Sequence, residues 1–494
     1  MALLRDLRFI QDVTTIPALA DTLRDAVIQG IFLRDDRRLP KAVVHVLTRA
    51  PHVTARATSE AEVRKVLRIV SGEEGTQAFG ALTPGMPMSP EDMHYYRRAL
   101  EIQWESRRGV SVRPSVWTVT PDLVPLQGGV QLDLGGMDGV EIDGVTYTAQ
   151  AQVGARWKAV YERAKAKGMF LGLAPVVPLD YCVGDAVHGD ARFVAFRGDL
   201  DDHVNAVRAI SADGIQVTHG FTRVPNHATA YDLRYLATAF GADLAVVTSL
   251  SLRLQARPPV VKNVAYSFVE AAGLAGSLEK ILNSGREMLW LRLYDDRAWA
   301  LVHPKEPAAG LFVLETGFGG REAIAAVRAK AIDALAVGNA GRAEVPSHLE
   351  APAAAYAKAA SGVGKMLVVG ELLLTSRHLP KVLEAVQGIA AQRRVRSGFF
   401  AAVTRNGQVS LFPFFEAAKE MPRVYDLSRA LWDLQKGFGG EVLLLSRLAH
   451  FWSRDKDFQK RVGIVQKVDD VLDPPNVVEP VAQIEKPSIF FAPQ

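Results

Sequence analysis

The stretch VRPSVWTVTPDLVPLQGGVQLDLGGMDGVEIDG, Val112–Gly144, reads as strand, loop, strand, turn, strand. Its short apolar runs are separated by the glycine pairs Gly128–Gly129 and Gly135–Gly136, which punctuate strands. A loop between two buried strands is where a chain can hold the phosphates of a nucleotide. Such cradles usually need glycine, because backbone N–H groups must converge on the anion without Cβ atoms in the way. Here the loop instead carries Ser115, Val116, Trp117, Thr118 and Thr120. The hydroxyls of Ser115, Thr118 and Thr120 can donate to phosphate oxygens, whereas the side chains of Val116 and Trp117 cannot and narrow the space. Two readings stand: a modified cradle, or a structural turn kept after its nucleotide was lost.

Working outward on the N-terminal side, Leu19, Leu23, Ala26 and Val27 form a helical stripe within the first 45 or so residues. A strand is expected in "AVVHVLTRAPHV", then a helix in "ATSEAEVRKVLRIV" with Ser59 as N-cap and Glu62 completing a capping box. A Gly/Pro/Met-rich loop spans about 72–90, and a second helix about 91–108. On the C-terminal side, "VTYTAQAQVGA" alternates as a strand and "RWKAVYERAKAKG" is a helix stopped by Gly168. "HVNAVRAISADGIQVTHG" is strand and turn, and "YDLRYLATAFGADLAVVTSLSLRL" is helix, tight turn and buried strand. Pro258–Pro259 marks a boundary, since paired prolines stop helices and central strands alike. Beyond it, the helix "AYSFVEAAGLAGSLEKILNSG" precedes strands "MLWLRLY", "AWALVH" and "GLFVLET" and the helix "REAIAAVRAKAIDAL". A second round follows: "KMLVVGELLLT", helix "HLPKVLEAVQGIAAQ", strands "GFFAAVT" and "QVSLFPFF". Antiparallel strands with helices on one face predict an α+β arrangement.

At 494 residues the chain exceeds what one core usually serves, so two or three domains are expected. With 48% hydrophobic and 23% charged residues its composition is that of a globular protein, not a disordered one. One cysteine, Cys182, excludes an internal disulfide framework and suits a reducing cytoplasm. Arg5, Asp6, Arg8 and Asp12 break any secretory core at the start, and "FGADLAVVTSLSL" is too short to cross a bilayer. A cytoplasmic protein is expected, with any membrane contact made through a partner. The net charge of +4 and scattered aromatics argue against nucleic-acid binding. Arg393, Arg394 and Arg396 read as a solvated helix end. "ASGVGKM" fails as a phosphate loop for want of the first glycine and the Ser/Thr, "TGFGGREA" reads as a strand-to-helix turn, and no metal-ligand spacing is present.

Several segments, in order, resemble the PCMH-type FAD-binding oxidoreductases of the vanillyl-alcohol-oxidase family, and within them the D-lactate dehydrogenase and glycolate oxidase flavin subunit branch. They are "GGVQLDLGGMDGVEID", "TAQAQVGARWKAVYERAKAKG", "VRAISADGIQVTHG" with "YDLRYLATAFGADLAVVTSLSLRL", "GELLLTSRHLPKVLEAVQGIA" and "VDDVLDPPNVVEP", within residues 46–480. The resemblance implies an α+β protein: an N-terminal helical segment (1–45), a two-lobed FAD-binding domain (46–257), a cap with an antiparallel sheet (258–440) and a C-terminal segment packing back on the FAD domain (441–494). FAD would lie between the lobes, with substrate between its ring and the cap.

Carried onto this sequence, the resemblance places FAD against Ser115, Val116, Trp117, Thr118 and Thr120, then Gly184, Asp185 and Gly189, then Val246 and Val247. Asp185 stands where relatives have a second glycine, and a carboxylate there repels a diphosphate unless turned away. Tyr181 and Cys182 either border the flavin ring or pack in the core. In the cap, Val403 and Ser410 stand at the matched positions of two family histidines. The cation for a substrate carboxylate then falls to Arg405 or Arg447, each with a surface ion pair as its alternative, and the base to His450. The expected activity is FAD-dependent oxidation of a small 2-hydroxy acid such as D-lactate or glycolate, with electrons passed to a partner protein or iron–sulfur subunit. The alternative is a catalytically degenerate, non-flavin scaffold or regulatory subunit of such a complex.

Overall fold

The computed structural model describes residues 10–11, 53–71, 110–113, 130–175, 179, 181–187, 193–196, 198–223, 234, 245–346, 366–368, 370–416 and 421–445. The expected helix at 91–108, the 72–90 loop, the loop from Ser115 to Thr120, Gly189, Arg447, His450 and the "VDDVLDPPNVVEP" segment lie outside them.

The first lobe holds β1 (Ile10–Gln11), β2 (Val53–Arg56), α1 (Glu60–Ser71), β3 (Val110–Arg113) and β4 (Val130–Asp133). Its sheet order is β1-β2-β4-β3, with β4 parallel to both β2 and β3. Ser59 precedes α1 as expected, but the carboxylate of Glu62 accepts from the Thr58 N–H (2.6 Å) and hydroxyl (2.9 Å), one residue before the N-cap. The apolar stripe Val63, Val66 and Leu67 is buried in the core of this domain.

The second lobe begins with β5 (Val140–Asp143), β6 (Thr148–Gln152) and α2 (Trp157–Ala166), then β7 (Met169–Leu171) and β8 (Ala174–Pro175). It continues with β9 (Phe193–Ala195), β10 (Gly198–Asp199), α3 (Leu200–His203), β11 (Val204–Ile210), β12 (Gln216–Gly220) and β13 (Val246–Ala256). The main sheet runs β12-β11-β13-β6-β5, with β7 also on β13. α2 ends as its sequence predicts: Gly168 sits at φ +70°, a conformation glycine adopts freely. The two lobes are tied through α1, where Glu60 accepts from the Thr248 hydroxyl (2.8 Å) and lies 3.7 Å from Arg208.

After Pro258–Pro259 the cap opens with β14 (Val260–Phe268), α4 (Ala271–Asn283), β15 (Trp290–Asp295), α5 (Asp296–Val302) and β16 (Phe312–Gly320). Then come α6 (Glu322–Asp333), β17 (Gly341–Glu344), β18 (Met366–Val368), β19 (Glu371–Thr375), α7 (Leu379–Gln392), β20 (Arg396–Val403), β21 (Gln408–Glu416), α8 (Met421–Lys436) and β22 (Leu443–Leu445). The antiparallel sheet runs β17-β14-β16-β15-β20-β21-β19-β22, with β18 on β21. Its edge strand β22 comes from the segment assigned by sequence to the C-terminal return. One face is packed by α4, α6, α7 and α8 through Leu278, Ile332, Val382, Leu431 and their neighbours. The opposite face meets α5 and, through Trp290 against Phe170, the second lobe.

"AWALVH" is not the strand its apolar run suggests but the helix α5. The cause is local: Asp295 is an N-cap whose carboxylate accepts from the Ala298 N–H at 2.8 Å, and Ala298, Trp299 and Val302 then fall on one buried helical face. Burial raises the Asp295 carboxyl to about 7, against N–H bonds from Ala298 and Phe399 that pull it down. A folded value above the unfolded one means stability is fullest below about pH 4 and is lost as pH rises through about 7. Asp295→Asn keeps a capping acceptor without the charge. It is expected to gain on the order of 1 kcal/mol over wild type between pH 5 and pH 8. Denaturation midpoints at the two pH values check this; equal pH slopes for the two proteins would refute it.

Candidate functional site between the cap sheet and the second lobe

Strand alternation puts one row of residues across the cap's inner face. Register pairs Ala265 with Glu315, Glu315 with Arg292, Arg292 with Ala402, Ala402 with Ser410, and Ser410 with Leu373. Neighbouring strands are about 4.8 Å apart, so Arg292 and Ser410 lie roughly 10 Å apart with only the Ala402 methyl between them. Phe400 and Phe412, also an antiparallel pair, wall this small-residue stretch on one side. Trp290, two residues before Arg292 on the same face, bounds the row on the other side and packs on Phe170.

Glu315 is fully buried and organises the polar part of the row. Asn263 Nδ2 donates to its Oε1 and the Tyr294 hydroxyl to its Oε2, both at 2.6 Å; His303 Nε2 is 3.5 Å from Oε1 and Arg292 Nη1 is 3.8 Å from Oε2. Burial alone would raise its carboxyl, but the His303 contact, the charge of Arg292 and the Asn263 bond outweigh that and hold it below the ordinary carboxylate range. Burial and the neighbouring Glu315 charge push the Tyr294 phenol well above its usual value. Trp290 donates to Asn263 Oδ1 at 3.1 Å, and the Arg292 guanidinium lies 4.9 Å from the Trp290 ring centre. His303 stacks on Trp299 with ring centres 4.0 Å apart. The charge of Arg292 is also felt at Tyr161 of α2, whose hydroxyl donates to the Leu173 carbonyl. These groups offer a cation, a phenol kept protonated and a carboxylate kept ionised.

At the junction of the lobes, the turn after β4 packs between Ala57–Thr58 and Val153–Gly154. Ala57 N–H donates to Asp133 O (2.9 Å) and Gly154 N–H to Met137 O (2.8 Å). Gly184 and Asp185 lie in a short 3-10 turn beside it, both buried. Asp185 Oδ2 accepts from the Cys182 N–H (2.8 Å), and the amides of Val183 and Gly184 donate to the carbonyls of Ala155 and Val153 at 2.7 Å. Cys182 is buried, its thiol raised to about 12 by burial first and Asp185 second. Val246 and Val247 open β13, fully buried, with their side chains in the core.

Of the residues named from sequence, Gly184, Asp185, Val246 and Val247 therefore gather near the lobe junction, while Ser115, Val116, Trp117, Thr118, Thr120, Gly189, Arg447 and His450 lie outside the described residues. Arg405 sits in the exposed β20–β21 turn and pairs with Glu287 at 3.1 Å, its surface alternative. The two positions matched to family histidines lie on opposite faces of the sheet: Val403 faces the helices, with Val409 as its partner, and Ser410 lies on the inner face. Ala402 is the residue that shares the inner face with Ser410. The residues sequence reading missed are Arg292, Glu315, Asn263 and His303. A signal was present, since Arg292 and Glu315 each interrupt an otherwise apolar strand, in "LWLRLY" and "LFVLETG".

A profile of the FAD binding domain family matches residues 87–220. Among solved structures, p-cresol methylhydroxylase with substrate bound superposes with a TM-score of 0.65 at 13% identity, covering 93% of this chain and 96% of that one. An alkyldihydroxyacetonephosphate synthase gives 0.63 at 14% identity, covering 88% and 77%. The 4-ethylphenol oxidase from Gulosibacter chungangensis, in its isoeugenol complex, gives 0.62 at 13%, covering 93% and 96%. The chain has the PCMH-type FAD-binding fold. No curated protein matches it by sequence.

The cofactor assigned to this PCMH-type fold is FAD. Around the lobe junction the described residues fit it. Two of the acidic side chains there are turned into their own loops, Asp133 accepting from the Gly135 N–H and Asp185 from the Cys182 N–H, each at 2.8 Å, and the third, Asp138, is exposed. The Cys182 contact places one Asp185 oxygen on a main-chain amide, while its charge still acts on Cys182 and Tyr181. The Gly184 N–H is spent on the Val153 carbonyl.

Proposed function

We propose that the chain is an FAD-dependent oxidoreductase acting on a small 2-hydroxy acid, in the class of D-lactate and glycolate, and passing electrons to a partner acceptor such as an iron–sulfur subunit. FAD, when bound, supplies the redox chemistry; Ser115, Thr118 and Thr120 would hold its phosphates, with Val246 and Val247 flanking the nucleotide. The observation that carries the reading is the buried row Glu315–Arg292–Ala402–Ser410 on the cap face turned toward the flavin-side lobe. A cation beside short side chains suits a small acid, because the charge orients the carboxylate and the missing bulk leaves it room. The structural relatives are named for two 4-alkylphenols, p-cresol and 4-ethylphenol, and for alkyldihydroxyacetonephosphate, so the fold occurs with more than one substrate class. Substrate choice therefore rests with this chain's own cap residues. Among the described residues no helix is long and apolar enough to cross a membrane.

A second reading, a non-flavin scaffold or regulatory subunit, is favoured by one observation: the amides of Val183 and Gly184 are consumed within the fold. Purified full-length protein separates the two. The expected result is flavin absorbance that bleaches on anaerobic addition of D-lactate or glycolate. A colourless protein that takes up no added FAD would establish the scaffold reading instead.

A further inference from the structure

We infer that Arg292 anchors the carboxylate of the substrate from the cap side, an assignment that rests on the flavoenzyme reading above. Arg292 is only 5% exposed, yet its Nη1 makes no hydrogen bond of ordinary geometry among the described residues, the Tyr294 hydroxyl standing as a weak neighbour of the guanidinium. The nearest carboxylate oxygen, Glu315 Oε2, is 3.8 Å away, too far for a hydrogen bond. Glu315 cannot close that gap without loss, since its two oxygens already accept 2.6 Å bonds from Asn263 and Tyr294. A buried donor left unmade is costly, and native structures seldom leave one without a reason.

The arrangement separates two tasks. Glu315 balances the guanidinium charge at a distance, held there by three other partners, and Trp290 fixes the guanidinium from its ring side. A planar fork positioned but not consumed is the geometry that takes a carboxylate in two parallel bonds. The direction is set by the row itself: from Arg292 the next residues across the sheet are Ala402 and Ser410, both short. A molecule of a few heavy atoms lying over Ala402 reaches Arg292 with one end and Ser410 with the other. Arg405, in the exposed turn and paired with Glu287, has neither the burial nor the unspent donor.

Oxalate serves as the probe, a dicarboxylate of the right size, against the uncharged 1,2-propanediol. Flavin occupancy of the full-length protein is read first, by absorbance. Oxalate is then titrated, following the flavin difference spectrum and the thermal unfolding midpoint. Wild type is expected to bind oxalate and ignore the diol. Arg292→Met should weaken oxalate by about 30- to 100-fold, the loss of a charge-assisted pair, and Arg292→Lys should recover part of it. The double variant Arg292→Met with Glu315→Gln removes both charges together, so that its folded state carries no unpaired buried ion. It should retain flavin and remain weak for oxalate. Flavin-loaded variants that bind oxalate as wild type does, or a flavin-loaded wild type that binds none, would overturn the role of Arg292. A wild type that binds no flavin would instead remove the reading on which it rests.

Discussion

Glu315→Ala is expected to destabilise the cap by about 3–5 kcal/mol, the cost of breaking a buried ion pair from one side. The substitution strands Arg292 without its counter-charge and takes acceptors from Asn263 and Tyr294, all in a setting that water does not reach. Glu315→Gln should lose less, because the amide oxygen still accepts from Asn263 and the amide N–H can donate to the Tyr294 hydroxyl oxygen, while the charge that balances Arg292 is removed. The comparison therefore apportions hydrogen bonding and charge. Urea denaturation of the full-length protein measures both. A loss under about 1 kcal/mol for the alanine variant would mean that the network is solvated and contributes as little as an exposed pair.

Much of the architecture was legible because it rests on local, periodic signals. The alternation in "VQLDL" and "VEID", the capped start at Ser59 and the glycine stop at Gly168 each fix an element without help from the rest of the chain. "AWALVH" was misread for a related reason. A six-residue apolar run is compatible with strand or helix, and the deciding residue, Asp295, lies outside the run as its cap. The Val403–Ser410 pair shows the same scale of dependence. In a strand one residue of register exchanges the faces, so two positions read together from a motif come to lie on opposite sides of the sheet, Val403 with the helices and Ser410 beside Ala402.

The site was less legible, since its parts come from strands far apart in sequence. Arg292 and Glu315 meet only because β15 and β16 are neighbours, and Ser410 joins their row only through β20. Sequence alone directs the search for a cation to exposed-looking arginines such as Arg405. A charged residue inside an apolar strand is the better guide. Burying it is costly, so it persists where something pairs with it or uses it. Asp185 gives the converse case. Its charge looked hostile to a diphosphate in sequence, and the fold turns one of its oxygens onto the Cys182 amide, an orientation that sequence could not show.

The lobe junction should prove even less tolerant than the cap network, and Gly154→Ala is expected to abolish stable folding of the flavin-binding half. A Cβ at this position would stand 2.3 Å from Leu134 O, 2.8 Å from Met137 O and 3.0 Å from Gly135 C. All three are backbone atoms, which cannot rotate away as a side-chain tip can. Relief requires moving the turn after β4, and that turn is also pinned on its other side, where Gly136 meets Thr58 and Ala57. Displacing it would pull Gly154 N–H off Met137 O and disturb Val183 and Gly184, whose amides are fixed on the Ala155 and Val153 carbonyls. Overpacking in a core that can adjust costs about 1–3 kcal/mol, and here the adjustment must come from main chain shared by both lobes. Soluble yield, flavin content and the unfolding midpoint of the variant all read the effect. As a control, Gly168→Ala has open space for its methyl and strains only a positive φ, so it should cost on the order of 1 kcal/mol and leave flavin content unchanged. A Gly154→Ala protein as stable and as flavin-loaded as that control would show that the lobes do not close on this turn.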